Sequence, residues 1–214
     1  NKLLLTTAAE AATLVIYWKY ESPTCRPVNS SANGIPLPLS QAAATQSGAS
    51  LVATHELSDV TLLRLNQAPP AAALPFWSGW DRRNLAPSSA VAIHHPGGHE
   101  KRISFENDPL TIGDYEPSPT GNTTTHLKVT DWDAGTTEGG SSGSGIWNTD
   151  KRLVGTLHGG FAACGNNDAD YYGRLYSGWT GGGSVGTRLS DFLDPAAANL
   201  ETVDGRGTCN APAV

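Results

Sequence analysis

The chain has 214 residues, with 24 glycines, 14 prolines, only 16% charged residues and a net charge of −6. So many turn formers and so few charges exclude a helical bundle or coiled coil, while six tryptophans and a modest net charge exclude long-range disorder. No apolar run approaches the roughly 18 residues of a membrane span, and the acidic balance argues against nucleic acid as a partner. The composition predicts a soluble, Gly-rich all-β protein, secreted and monomeric.

The strand-like runs, in chain order, cover 14–18, 50–57, 59–65, 90–95, 101–105, 126–132, 145–147, 152–158 and 171–179, with turn signals between them. The run Asn1 to Leu5 is too short for a signal-peptide core and reads as a strand edge. Residues 23–48 read as a long surface loop, and 67–73, with adjacent prolines, as a linker. One short helix is predicted over 188–193, stopped by Pro195, and a tail from about residue 199. This divides the chain into an N-terminal β unit over 1–68, a complete second unit over 69–196 and a tail over 197–214.

The segment Thr136 to Trp147, TTEGGSSGSGIW, carries the strongest chemical signal. A serine among glycines on a tight turn exposes its hydroxyl and lets a substrate carbonyl approach the backbone. In one register Ser141 is the nucleophile of a G-x-S-x-G elbow. That register requires a following helix and a later acid–histidine pair, and neither is present. In the other register Ser142 is the nucleophile in a β-barrel, with an acid well upstream at the start of an apolar strand. Asp59, opening DVTLLRL, supplies it.

DVTLLRL, GGSSGSGIW, LVGTLHGG, DYYGRLYSGW, FWSGWDRR, AVAIHHP, EKRIS, YWKYESPTC and RLSDFLDP together resemble chymotrypsin-fold serine endopeptidases, most closely the bacterial lysyl endopeptidase branch. The resemblance implies two Greek-key β-barrels of the trypsin-like type, the first incomplete here, and a secreted enzyme acting on polypeptides without cofactor or metal. It implies Ser142 as nucleophile, Asp59 as the residue orienting the catalytic histidine, and the N–H groups of Gly140 and Ser142 as the oxyanion hole. Asp170 is implied as the acid that receives a basic side chain, with lysine favoured. His158, Gly159 and Gly160 would line the cleft. Where the branch stacks an aromatic ring beside the histidine position, Tyr115 and Ser118 are the residues in that neighbourhood. The position six residues before the nucleophile, an acid in trypsin-like enzymes, is Thr136.

The triad histidine of the family precedes the Asp59 strand in a T-A-x-H-C segment, which this chain lacks. Either the chain is a fragment or it is a degenerate relative. The absence of methionine and the odd cysteine count (Cys25, Cys164 and Cys209) favour a fragment, since the resemblance pairs Cys25 and Cys164 with N-terminal cysteines. A bridge between Cys164 and Cys209 stays open. The isolated chain is expected to be inactive. A catalytically inert binder of basic peptides is the alternative. His94, His95 and His99 hint at a metal site, but Pro96-Gly97-Gly98 forbids the helix that would align them.

Overall fold

The computed structural model describes residues 6–27 and 30–207; the run Asn1 to Leu5 and Cys209 lie outside them. The first unit holds α1 (Ala8–Ala12), β1 (Val15–Trp18), β2 (Ala44–Ser47), β3 (Ala49–His55) and β4 (Val60–Leu65). Helix α1 was not foreseen; Thr7 and Glu10 cap it reciprocally, each side chain bonding the other's backbone N–H. The second unit holds β5 (Gly79–Asp81), β6 (Ala90–His94), β7 (Arg102–Glu106), β8 (Thr111–Gly113), β9 (His126–Val129), β10 (Gly145–Trp147), β11 (Arg152–Gly160) and β12 (Asp170–Arg174). Then come α2 (Leu175–Thr180), α3 (Ser190–Leu193) and β13 (Thr202–Val203).

The molecule is all-β with short helices, as expected. β1 pairs with β2 and β3 with β4 as separate antiparallel ladders, while the second unit forms one sheet in the order β7-β6-β10-β11-β12-β9-β8. Among the described residues no ladder joins β7 to β8; a single bridge, Phe105 to Ala134, ties the β7 edge to the segment after β9. The expected tail contains β13, which pairs with β5.

The strand expected over 171–179 breaks in two. β12 is buried at all five positions, and then Leu175, Gly178 and Trp179 are buried at three- and four-residue spacing, the period of a helix. That helix joins a second apolar cluster with Ala53 and Val60 of the β3–β4 hairpin and Leu189. The main core lies in the second unit, built from alternating residues such as Ala92, Leu127, Val129, Ile146 and Leu157.

The hairpin tip rests on β12. Ser58 is fully buried, and a Cβ on Gly173 would fall 1.6 Å from the Ser58 carbonyl oxygen, so only glycine permits the contact. Asp59 follows at φ 48°, ψ 42°, a left-handed turn that aspartate tolerates better than most residues. Gly173→Ala should lower stability by at least about 1–3 kcal/mol through overpacking, while Gly113→Ala, where a Cβ meets nothing within 4 Å, should change it by less than about 0.5 kcal/mol. Urea unfolding of both variants checks this; equal shifts would mean that the hairpin tip yields freely.

Candidate active site

The loop before β10 presents Ser142. Its turn is closed by Ser141 N–H to the Glu138 carbonyl at 3.0 Å and Ser144 N–H to the Ser141 carbonyl at 3.1 Å. Two further bonds fasten it to β11: Gly143 N–H to the Leu157 carbonyl and Leu157 N–H to the Ser144 carbonyl, both 2.8 Å. Ser142 is exposed, whereas Ser141 is 1% exposed, so the two registers of the sequence separate physically. Among the described residues nothing accepts from the N–H of Gly140 or of Ser142. Both residues are exposed, so these donors beside the Ser142 hydroxyl are open to solvent or to a ligand.

The β11 strand that holds this loop also carries His158. Its Nε2 lies 3.7 Å from Asp59 Oδ2, its Nδ1 shares a 2.9 Å hydrogen bond with His126 Nε2, and the Tyr115 ring stacks on it at 3.7 Å. Of Tyr115 and Ser118, it is Tyr115 whose ring meets His158. Burial holds both His126 and His158 down to a pKa of about 4. One ring nitrogen of His158 faces Asp59 and the other binds His126, so His158 has none directed at Ser142. Among the described residues no imidazole hydrogen-bonds to the Ser142 hydroxyl. His55 ends β3 and bonds Ser58, not Asp59.

Asp170 opens β12 at 1% exposure. Its Oδ2 accepts from Trp132 Nε1 at 2.8 Å and from Thr137 Oγ1 at 2.6 Å. Burial raises its pKa despite those two bonds. Among the described residues no cation lies within 4 Å of it. Gly160 stands opposite in the ladder, and a Cβ there would come within 2.4 Å of Asp170 Oδ1, so only glycine permits this close packing. Gly159 lies beside the Tyr115 hydroxyl. Thr136 touches none of this; its neighbour Thr137 is the partner.

Cys25 and Cys164 are exposed free thiols. His94 bonds two serines, and His95 Nδ1 bonds the His99 carbonyl, so these histidines face separate partners. Glu106, Asp108 and Asp133 bring carboxylate oxygens within 4.8 Å of one another. The backbone N–H groups of Asp108 and Asn107 bond Glu106 and Asp133 there. Cavities of about 140 and 280 Å³ lie elsewhere, beside Arg174 and beside Trp179.

Sequence reasoning missed His126, Trp132 and Thr137. Trp132 and His126 carried no local signal, because their partners lie 38 and 32 residues away.

The family model for "Lysyl endopeptidase, C-terminal domain" matches residues 4–173. The lysyl endopeptidase of Pseudomonas aeruginosa is 33% identical over 162 residues, covering 73% of this chain and 32% of that protein. The chain therefore spans about a third of that relative's length. A crystal structure of an inactive mutant of Rv3671c from M. tuberculosis overlaps 61% of this chain and 60% of its own at 16% identity and a TM-score of 0.38.

A carboxyl whose pKa rises on folding binds protons more tightly in the folded state. Its effect on stability is therefore nil at low pH and grows unfavourable as pH climbs past the unfolded value of about 3.9. Asp170→Asn should raise the urea midpoint of the chain at pH 7, with the gap closing below about pH 4. A gap that is constant from acid to neutral pH would mean that the carboxylate is already compensated.

Proposed function

The chain belongs to the family of lysyl endopeptidase C-terminal domains, and from that premise we propose that it carries the nucleophile and the specificity pocket of a secreted serine endopeptidase cutting after basic residues. The observation that carries this reading is the exposed Ser142 hydroxyl between two unbonded backbone N–H groups. Ser142 Oγ attacks the scissile carbonyl. The N–H groups of Gly140 and Ser142 receive the oxyanion, a service for which each donor contributes about 2.7–4 kcal/mol. A histidine supplied from outside these 214 residues takes the Ser142 proton and later delivers it to the leaving amine, and Asp59 orients its ring.

Lysine preference follows from the Asp170 carboxylate. Oδ2 already accepts two hydrogen bonds, which leaves Oδ1 as the oxygen open to a ligand. One free oxygen suits the point charge of an ammonium, whereas a guanidinium fork is best met by two. An uncharged substrate side chain would leave the carboxylate buried and unpaired.

The test is kcat/KM of the full-length gene product on matched Lys, Arg and Leu peptides. Ser142→Ala should abolish turnover. Asp170→Asn should lower cleavage after Lys by about 10²–10³-fold, the cost of breaking a buried charge pair. Glu138→Gln should have a much smaller effect, because the Glu138 carboxylate is engaged by the Cys164 N–H. Loss of the basic preference in Glu138→Gln but not in Asp170→Asn would relocate the pocket acid.

A further inference from the structure

The run His94-His95-Pro96-Gly97-Gly98-His99 stands out in the sequence, and the chemistry above does not use it. We infer that this turn is the cradle that fixes the oxyanion loop in its working orientation, with His94 as a positioning residue acting through Ser141. The inference rests on the proposed function, since the orientation matters only if Gly140 and Ser142 receive an oxyanion.

Three contacts join the turn to the loop. The first is a clamp. His94, at the end of β6 and 1% exposed, shares a 2.9 Å hydrogen bond through Nδ1 with Ser141 Oγ and a 3.0 Å bond through Nε2 with Ser104 Oγ on β7. Ser141 Oγ also accepts from the Glu138 N–H at 3.3 Å, so the residue before the proposed nucleophile is held from both sides. Burial, with the nearby His95 and Arg102, keeps the His94 pKa at about 4. A neutral imidazole offers one donor and one acceptor, which matches two hydroxyls.

The second contact sets a peptide plane. Gly97 N–H donates to the Gly139 carbonyl at 2.7 Å. A trans peptide directs its C=O and its N–H to opposite sides. Anchoring the Gly139 oxygen on the turn therefore turns the Gly140 N–H away from it, toward the side where it is left unbonded. If that peptide flipped, the loop would lose both the bond to Gly97 and one oxyanion donor.

The third contact is close packing. Gly140 has φ +95°, and a Cβ there would stand 3.1–3.3 Å from Gly98 N, Gly97 N and the His95 carbonyl. Gly97 itself has φ +62°. Loop and turn thus meet backbone to backbone.

The test uses the full-length gene product, with kcat expressed per titrated active site. His94→Leu removes both hydroxyl bonds. It should lower kcat by about 10²-fold with KM within threefold, as expected when an interaction made only in the transition state is lost. Affinity for a peptide aldehyde ending in lysine, which forms a tetrahedral adduct on Ser142, should fall in parallel, while affinity for the lysine-terminated product peptide stays level. His94→Asn, whose amide can still bond Ser141, should recover at least tenfold. Ser141→Ala loses only one oxygen, and it decides the matter should His94→Leu fail to fold; it should lower kcat about tenfold or more at unchanged KM.

A merely structural role would reduce the titre of active sites and leave kcat per site and the aldehyde-to-product affinity ratio unchanged. That result overturns the inference. If Ser142→Ala abolishes turnover while the His94 and Ser141 variants behave as wild type, only the inference fails. If Ser142→Ala retains turnover, the proposed function fails and the inference with it.

Discussion

Gly173 faces the Ser58 carbonyl so closely that no side chain fits between them. Because β12 yields that space, the β3–β4 hairpin docks its tip on the second sheet rather than beside it. Asp59 is delivered by that tip, one residue after the buried Ser58. From there it reaches His158 on β11, the neighbour of β12, and β11 in turn grips the Ser142 loop through Leu157. One missing methyl group thus couples a strand turn in the first unit to a loop in the second. The apolar cluster behind the hairpin, with Val60 against Leu175 and Trp179, fixes the angle of approach.

The ionisable groups around the site share one electrostatic condition. Burial raises the Asp170 carboxyl and lowers His94, His126 and His158, so each shift works against the charged form. Their partners are accordingly mostly hydroxyls: Thr137 for Asp170, Ser141 and Ser104 for His94, and Thr125 for His126. Neutral networks carry direction. The Thr125 hydroxyl donates to the Asn122 carbonyl, so its oxygen accepts from His126 Nδ1–H. His126 Nε2 then accepts from His158 Nδ1–H, which fixes the tautomer of the ring beside Asp59. A low-dielectric surround of this kind makes a charge buried in it, such as that of the Asp170 carboxylate, interact more strongly.

The elements that carry a repeating pattern were legible in the sequence. β4, β6 and β11 lie within one or two residues of their expected bounds, because runs of apolar and β-branched residues bounded by turn formers report a strand directly. The turn formed by the Gly-Ser run was legible too, since glycine and serine in that density favour a turn. β10 was expected at its observed bounds, but other short pieces were not. β5, β8 and β13 are two or three residues long, too short to express a period, and they exist because a neighbouring strand offers a free edge. The switch from β12 to α2 was hidden by aromatic residues that suit either state. At the candidate site, Thr136 and Thr137 are indistinguishable in sequence, yet only Thr137 points at Asp170. His94 was read with its sequence neighbours His95 and His99, while its real partners lie on β7 and on the loop before β10.

The groups that the proposed chemistry needs are the ones the fold leaves partly unengaged. Among the described residues two exposed backbone N–H groups, at Gly140 and Ser142, meet no protein acceptor, and the buried Asp170 carboxyl meets no cation. Of these only Asp170 lies in the interior, where a charge without a cation is costly; the two N–H groups face solvent. A loop bearing such groups would relax by turning its peptides toward any nearby acceptor unless the opposite faces of those peptides were already committed. Here they are committed: Gly139 oxygen to Gly97, Ser141 Oγ to His94 and Glu138, and Gly143 N–H and Ser144 oxygen to Leu157. Asp170 is held in the same way, with Oδ2 fully engaged so that Oδ1 stays turned toward Gly160. The unsatisfied half of each group is therefore sustained by satisfying its other half. A site built on that pattern needs its supporting turn as much as it needs its nucleophile.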